Sequence, residues 1–209
     1  MLIARPPSLL TRIFTRMTWN FYGDHRDVFL TFDDGPTPGV TPWVVERLEE
    51  AGAKATFFCL GRNVDKHPQL LKQILSAGHT VGNHSYSHLK GFRASVKHYM
   101  EDIHLAANLI DSKLFRPPYG RILPRQTKAV AEQYKIIMWD VLSRDYNTHL
   151  SGERVLQNVI RSVRPGSIIV FHDSDRASDN LYHALPRTLD FLREKGFNMK
   201  AIPGGGLSS

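Results

Sequence analysis

The chain has 209 residues, of which 42% are apolar and 22% are charged, a composition typical of a globular domain. One domain fits this length, because a single hydrophobic core keeps growing to roughly 250 residues. The net charge of +7 is scattered without a run of five like charges, which argues against a nucleic-acid-binding tail, and the single cysteine, Cys59, excludes an intrachain disulfide and a thiolate metal site.

Residues 1–26 show no clear periodicity and are predicted to form an arm that packs on the domain. Their apolar runs are short, whereas a secretory signal needs roughly 7–15 continuous apolar residues. No apolar run of about 18 residues, the length that predicts a transmembrane helix, occurs in the chain. We therefore expect no signal peptide and no transmembrane segment, hence a cytoplasmic location, with the cell envelope as the alternative if a signal has been removed.

Seven short apolar segments are predicted as β-strands, and helical patterns separate them. In chain order, the strands cover about residues 27–33, 54–58, 80–83, 114–116, 135–139, 166–171 and 197–202. The helices cover about residues 41–51, 68–77, 93–111, 124–133, 151–163 and 186–195. Alternating strands and helices form βαβ units, so we predict an α/β fold with a parallel sheet, one domain over residues 27–203 and a flexible tail over residues 204–209.

Polar residues cluster where the predicted strands end. Because parallel α/β barrels build their sites at the carboxyl ends of the strands, these clusters are expected to share one rim. They comprise Asp33 with Asp34, Asn83 with His84, Arg116, Trp139 with Asp140, and His172 with Asp173.

The two adjacent carboxylates at the end of the first strand suggest chemistry. Asp33 and Asp34 follow the apolar run 28–32, just where Gly35 and Pro36 turn the chain. Side chains alternate along a strand, so the two point differently and suit two tasks, binding a metal and moving a proton. Taken alone, the stretch is equally consistent with a surface turn.

His84 and His88 are spaced four residues apart, which predicts two imidazoles on one face of a helical turn. With Asp34 they would form a two-histidine, one-carboxylate set that leaves positions open for water or substrate, as in catalytic metal sites. Zn²⁺ is the first choice, and Co²⁺, Ni²⁺, Fe²⁺ and Mn²⁺ suit the same ligands. In isolation, such a pair is more often two surface or core histidines.

Two further side chains stand at strand ends. His172 closes a strongly apolar strand and is predicted as a general acid, the alternative being a core histidine. Arg116 precedes a rigid Pro-Pro turn and could pair with Asp33, keeping it ionised and oriented. The alternative for Arg116 is an ordinary surface position in that turn.

In order along the chain, these segments resemble the five motifs of the polysaccharide deacetylases, the NodB-homology proteins of carbohydrate esterase family 4. The resemblance covers about residues 27–202, and five ordered motifs are far more specific than any one of them. The segments are residues 31–35, 84–88, 116–120 and 170–173, together with Trp139 and Asp145.

The resemblance implies a distorted (β/α)7 barrel and metal-dependent hydrolysis of N-acetyl groups from an amino-sugar polymer or oligomer, peptidoglycan or chitin-like, releasing acetate. It places Pro118, Tyr119 and Trp139 at the substrate, with the Tyr119 backbone N–H at the oxyanion. The other implied roles are Asp33 as general base, Asp34, His84 and His88 as metal ligands, His172 as general acid, and Arg116 as the residue that braces the base.

The fourth motif departs from the family pattern. Leu142 stands where many members have Asp, and Tyr146 stands at the aromatic position. The carboxylate that orients His172 is therefore open, with Asp145 as first choice and Asp140 as second.

The expected partner is an N-acetylated glycan, and the sequence does not indicate an oligomeric state. Two alternative functions stay open: hydrolysis of a small amide or an O-acetyl ester, and a carbohydrate-binding pseudoenzyme that keeps the barrel without the activity.

Overall fold

A computed structural model describes residues 16–23 and 25–204. The remaining parts of the predicted arm and tail, residues 1–15, 24 and 205–209, lie outside the described residues. Within residues 16–23 and 25–204, no helix combines the length and apolar character that a membrane crossing requires.

The described residues form a nine-stranded, curled sheet in which all named strand pairs are parallel. Its order is β1-β6-β5-β4-β3-β2-β8-β7, and β9 pairs with β2. All seven predicted strands are present, and the two-residue strands β1 and β7 are additional. The strands are β1 (Met17–Thr18), β2 (Asp27–Asp33), β3 (Ala55–Cys59), β4 (Thr80–Asn83), β5 (Leu114–Phe115), β6 (Lys135–Ile137), β7 (Val141–Leu142), β8 (Ile168–His172) and β9 (Asn198–Met199).

The helices follow the predicted order, with one addition and two large changes of length. The helix predicted over residues 93–111 is shorter and covers Val96–Ala107, because a 3-10 turn over Gly91–Arg93 precedes it and the chain leaves the helix after Ala107. The short helix α2 was not predicted, because six residues are too few to display a helical period. The last helix begins at Ser178 and continues through Pro186, where a start was predicted. The helices are α1 (Val40–Glu50), α2 (Gly61–Lys66), α3 (Pro68–Ser76), α4 (Val96–Ala107), α5 (Pro124–Ala131), α6 (Gly152–Ile160) and α7 (Ser178–Glu194).

The proline inside α7 shows packing overriding local preference. A proline in a helix interior removes one main-chain hydrogen bond and favours a break. The face that includes Leu181, Leu185 and Leu189 is buried in the main core, however, and holds the two halves in line. A helix start predicted from Pro186 alone is therefore wrong by eight residues, since the helix begins at Ser178.

The central strand β2 fixes the geometry of the rim. Phe32 is fully buried and stacks on Phe57 and Phe171, with ring centroids 5.0 and 6.1 Å away. This apolar layer runs across β3, β2 and β8 directly beneath the polar strand ends. In the β2–β8 register, Asp33 is the partner of His172.

The described part of the arm links β6 to the start of β8. Met17 pairs with Ile136 of β6, and the Phe21 N–H donates to the Gly166 carbonyl at 2.8 Å. Gly166 has φ +82°, and a Cβ there would lie 2.5 Å from the Tyr22 nitrogen, so only glycine admits this approach.

Tyr22 fastens this segment to the body of the domain. Its hydroxyl donates to the Asp140 carboxylate at 2.5 Å, and the Arg164 guanidinium lies 3.9 Å from its ring centroid. Burial and the Asp140 carboxylate raise the pKa of Tyr22 to about 12, so the hydroxyl remains a donor at neutral pH.

Tyr22→Phe should lower the free energy of unfolding by about 1 kcal/mol, because it leaves an acceptor oxygen of Asp140 without this donor. Urea denaturation measures the change. Tyr182→Phe is the matched control, since Tyr182 is similarly exposed and its hydroxyl makes no hydrogen bond among the described contacts. Equal stability of the two variants would contradict the role given to Tyr22.

Candidate active site

Asp33 and the buried Arg116 form a direct ion pair. Arg116, just beyond β5, is fully buried and places Nη1 2.7 Å from Asp33 Oδ1. The same nitrogen donates to Thr31 Oγ1 at 2.7 Å. Asp33 is itself 4% exposed, so the pair is shielded from water and its orientation is fixed.

Each of the three nitrogens of the Arg116 guanidinium donates at least one hydrogen bond. Nε donates to the Ile137 carbonyl at 3.3 Å and Nη2 to the Met138 carbonyl at 3.1 Å. The Phe58 ring lies 4.1 Å away and the Trp139 ring 5.8 Å away. Burial lowers the pKa of Arg116, and the Asp33 carboxylate opposes that shift.

Asp34, His84 and His88 converge on one point. Asp34 Oδ1 lies 3.5 Å from His84 Nε2 and 3.2 Å from His88 Nε2. Asp34 adopts φ +75°, a left-handed backbone that directs its side chain away from that of Asp33. Asn63 Nδ2 donates to the Asp34 carbonyl at 2.8 Å and supports this turn.

The donor set fits a divalent cation. His84 Nδ1 lies 2.8 Å from the Arg116 carbonyl, so it carries the proton and Nε2 presents a lone pair toward Asp34. Asp34 Oδ1 is buried and finds no hydrogen-bond partner among the described residues. Lone pairs of nitrogen and oxygen that face one another repel unless a cation lies between them, and the three ligand atoms lie within 4.8 Å of one another.

The predicted helical turn between the two histidines is not formed. Ser85 and His88 adopt φ +66° and +62°, which no α-helix contains. The loop is shaped instead by the Ser85 N–H, which donates to Asn83 Oδ1 at 2.8 Å, and by the His88 N–H, which donates to Ser85 Oγ at 3.1 Å. The histidine rings still meet, with centroids 5.2 Å apart.

Asp145 holds His172 at two points. Its Oδ1 lies 2.7 Å from His172 Nδ1, and its Oδ2 accepts the His172 backbone N–H at 2.7 Å. Burial lowers the pKa of His172, but the charges of Asp145 foremost, and of Asp34 and Asp33, raise it to about 9. The Tyr146 ring meets the imidazole edge-on at 4.9 Å. The imidazole is therefore protonated at neutral pH.

Asp140, the second choice for the carboxylate that orients His172, binds the amino end of β8 instead. It accepts the Ile168 backbone N–H at 2.8 Å and the Ser167 hydroxyl at 3.1 Å, besides the Tyr22 hydroxyl. Ile168 is the first residue of β8, and His172 is its last. Sequence distance from Trp139 did not distinguish the two carboxylates. The strand β7 lies between them and runs parallel to β8, so Asp140 lies at the amino end of β8 and Asp145 at its carboxyl end.

Sequence reasoning assigned no role to Asp173, which ties the Asp33–Asp34 turn to β8. Its Oδ1 accepts the Gly35 N–H at 3.1 Å and its Oδ2 accepts the Thr41 hydroxyl at 2.5 Å. Burial raises the pKa of Asp173 to about 8. A Cβ on Gly35 would lie 2.0 Å from Oδ2, so the glycine permits the contact. The available signal was its place directly after His172 in the fifth motif.

The predicted substrate residues line the neighbouring edge of the rim. Pro118 is buried, whereas Tyr119 is 51% exposed, adopts φ +60° and places its ring 4.4 Å from that of His88. Among the described contacts, the Tyr119 N–H donates to no acceptor. Trp139 packs on Gly120, where a Cβ would lie 2.3 Å from the indole.

Comparisons with known proteins agree with this geometry. The polysaccharide deacetylase family matches residues 22–139. A peptidoglycan-N-acetylglucosamine deacetylase of Bacillus cereus is 34% identical over 185 residues, covering 85% of this chain and 67% of that protein.

Two solved structures share the fold. The crystal structure of a peptidoglycan N-acetylglucosamine deacetylase bound to a naphthalenyl benzamide superposes with a TM-score of 0.85 at 30% identity, covering 98% of each chain. A family 4 carbohydrate esterase described as a pseudoenzyme, from Bacillus anthracis, has a TM-score of 0.79 at 26% identity, covering 88% of this chain and 66% of that one.

The fold similarity confirms the predicted NodB-like class of distorted α/β barrel and its single domain. With the family match and the identities, the classification becomes specific: the chain belongs to the polysaccharide deacetylase family, and the predicted deacetylase class of hydrolase is confirmed.

In the metal-free protein, His172 should titrate with a pKa of about 9, and Asp145→Asn should lower that pKa. The sign follows because the carboxylate stabilises the imidazolium, and the amide does not. NMR of the His172 ring protons measures both values. Asp140→Asn is the matched control and should leave the His172 pKa in place; an equal shift in both variants would contradict the assignment of Asp145.

His88→Ala should weaken Zn²⁺ binding by at least about 100-fold, because it removes one of three converging ligand atoms. Isothermal titration calorimetry after chelator treatment measures the affinity. His98→Ala, which alters an exposed histidine on α4, should bind Zn²⁺ like the unmodified protein. Unchanged affinity in His88→Ala would place the metal elsewhere.

Proposed function

We propose that the protein removes N-acetyl groups from the amino sugars of a glycan and releases acetate. The observation that carries this is the register of β2 and β8, which makes Asp33 and His172 neighbours on the rim beside the Asp34–His84–His88 cluster. A base, an acid and a metal-ligand set side by side are what the hydrolysis of an unreactive amide requires.

Asp34, His84 and His88 would hold the divalent cation, with Zn²⁺ the first choice for two nitrogen ligands and one oxygen ligand. When bound, the cation supplies Lewis acidity toward water and toward the acetyl carbonyl. The carbonyl of Arg116 fixes the His84 ring in the tautomer that offers Nε2 to the cation.

Asp33 acts as the general base. Its Oδ1 is engaged by Arg116, which leaves Oδ2 to accept a proton from the attacking water. The hydroxyl adds to the acetyl carbonyl carbon, and the Tyr119 N–H is available to the oxyanion that develops. One such donor contributes on the order of 3 kcal/mol to the transition state.

His172 acts as the general acid. Asp145 holds Nδ1, and its carboxylate charge raises the pKa of His172, which favours a protonated Nε2 at neutral pH. As the carbon–nitrogen bond breaks, Nε2 gives its proton to the departing nitrogen. The products are acetate and a free amino sugar. Asp33 then releases the proton it took to solvent, and His172 takes up a proton from solvent, which restores the starting state.

A glycan substrate is favoured because relatives with 34% and 30% identity are peptidoglycan-N-acetylglucosamine deacetylases. Small amides and O-acetyl esters would need the same chemistry, so parallel assays on chitin oligomers, peptidoglycan fragments and acetylated xylan distinguish the substrates. The convergence of Asp33, His172 and the Asp34–His84–His88 cluster on one rim supports an active enzyme over a pseudoenzyme.

Asp33→Asn and His172→Ala should each lower turnover by about 100-fold or more, because each removes a proton-transfer group. Zn²⁺ binding should persist in both, since neither residue belongs to the ligand cluster. Acetate release from N-acetylglucosamine oligomers measures turnover, and calorimetry measures the metal. Full activity in either variant would refute the role given to that residue.

The proposed reaction is tested by stripping the metal and restoring one ion at a time. Acetate release that stops on chelation and returns with Zn²⁺ or Co²⁺ would support both the reaction and the site. Metal binding without acetate release from any glycan would contradict glycan deacetylation and favour another acyl substrate.

A further inference from the structure

A cleft of about 430 Å³ lies between the described part of the arm and the loops that follow β4 and β5. Its apolar walls include Trp19, Phe92 and Leu123, and Arg121 lies at its edge. Phe92 and Leu123 are 43% and 42% exposed, so the cleft presents two large apolar side chains together on its surface.

Three cations surround this cleft. The guanidinium carbons of Arg93 and Arg121 each lie 5.7 Å from the Phe92 ring centroid, and Lys90 Nζ lies 5.5 Å from the Tyr119 ring centroid. Within residues 16–23 and 25–204, no carboxylate lies within 4.0 Å of any of the three cationic groups, so their charges are not neutralised by a direct ion pair in that part of the chain. We call the cleft with Lys90, Arg93 and Arg121 the basic cleft.

The basic cleft is continuous with the rim that carries the proposed chemistry. Tyr119 touches His88 on one side and Lys90 on the other. Gly120, the next residue, lines the cleft and packs on Trp139. A sugar held at the metal-ligand cluster would therefore have its neighbour in the chain lying over Tyr119 and entering the cleft.

We propose that the basic cleft binds a carboxylate-bearing sugar next to the sugar that is deacetylated. This inference rests on the proposed function and narrows its substrate to an anionic glycan. Aromatic rings stack on the apolar faces of sugars, while arginine and lysine pair with carboxylates. Peptidoglycan carries lactyl and peptide carboxylates on alternate sugars, whereas chitin carries none.

The discriminating variant is the double substitution Lys90→Gln with Arg121→Gln, which removes both charges and keeps a polar side chain at each position. Its kcat/KM is measured on peptidoglycan fragments with free carboxylates and on the same fragments after conversion of the carboxylates to neutral amides. We expect the ratio of charged to neutral kcat/KM to fall at least fivefold, mainly through KM, and 0.5 M NaCl to reduce the ratio for the unmodified protein.

Two controls separate charge from stacking and from general surface effects. Phe92→Ala should lower kcat/KM on both fragments by a similar factor, because stacking does not depend on the carboxylate. Lys72→Gln, on α3, should leave the ratio unchanged. An equal effect of the double variant on both fragments, or no effect, would overturn the carboxylate subsite.

Failure of the proposed deacetylation can be distinguished from failure of the proposed subsite. If the unmodified protein released acetate from neither fragment, the proposed function would fall. Calorimetric binding of the two fragments would then still test the cleft: tighter binding of the charged fragment that is lost in the double variant supports the subsite, and equal binding refutes it.

Discussion

The ion pair between Arg116 and Asp33 is the constraint on which the rest of the rim depends. One guanidinium contacts Asp33 on β2, two carbonyls at the end of β6 and the ring of Phe58 on β3. The carbonyl of the same residue orients His84. A buried charge is costly unless it is paired and hydrogen-bonded. Loss of either partner would leave the other charge unpaired and would disturb Asp33, the proposed base, together with the His84 ring of the proposed metal site.

Two histidines of the site differ in the group that each Nδ1 contacts. A neutral carbonyl holds His84, which leaves its Nε2 as a ligand, whereas a buried carboxylate holds His172 and raises its pKa to about 9. The same side chain is therefore suited to offering a lone pair in one place and a proton in the other. The difference comes from the groups that contact each Nδ1, the Arg116 carbonyl and the Asp145 carboxylate, and not from the residue type.

Much of this arrangement was predictable from the sequence, because seven apolar segments and polar strand ends define a parallel sheet with one functional rim. The parts that were missed depend on contacts distant in sequence. The two-residue strands β1 and β7 carry too little pattern to detect, the loop from His84 to His88 is shaped by Asn83 and Ser85 hydrogen bonds instead of a helical turn, and α7 crosses Pro186 because its buried face outweighs one lost bond. The choice between Asp145 and Asp140 depended on which end of β8 each reaches, which spacing alone does not encode.

The pairing of Asp33 with His172 in the β2–β8 ladder has an evolutionary consequence. The interval between the two proton-handling groups is set by the spacing of adjacent strands, about 4.8 Å, and not by any loop. Residues of the loops after β4 and β5 line the proposed sugar subsite and take no part in that interval. Changes in those loops would therefore alter glycan contacts without moving Asp33 relative to His172.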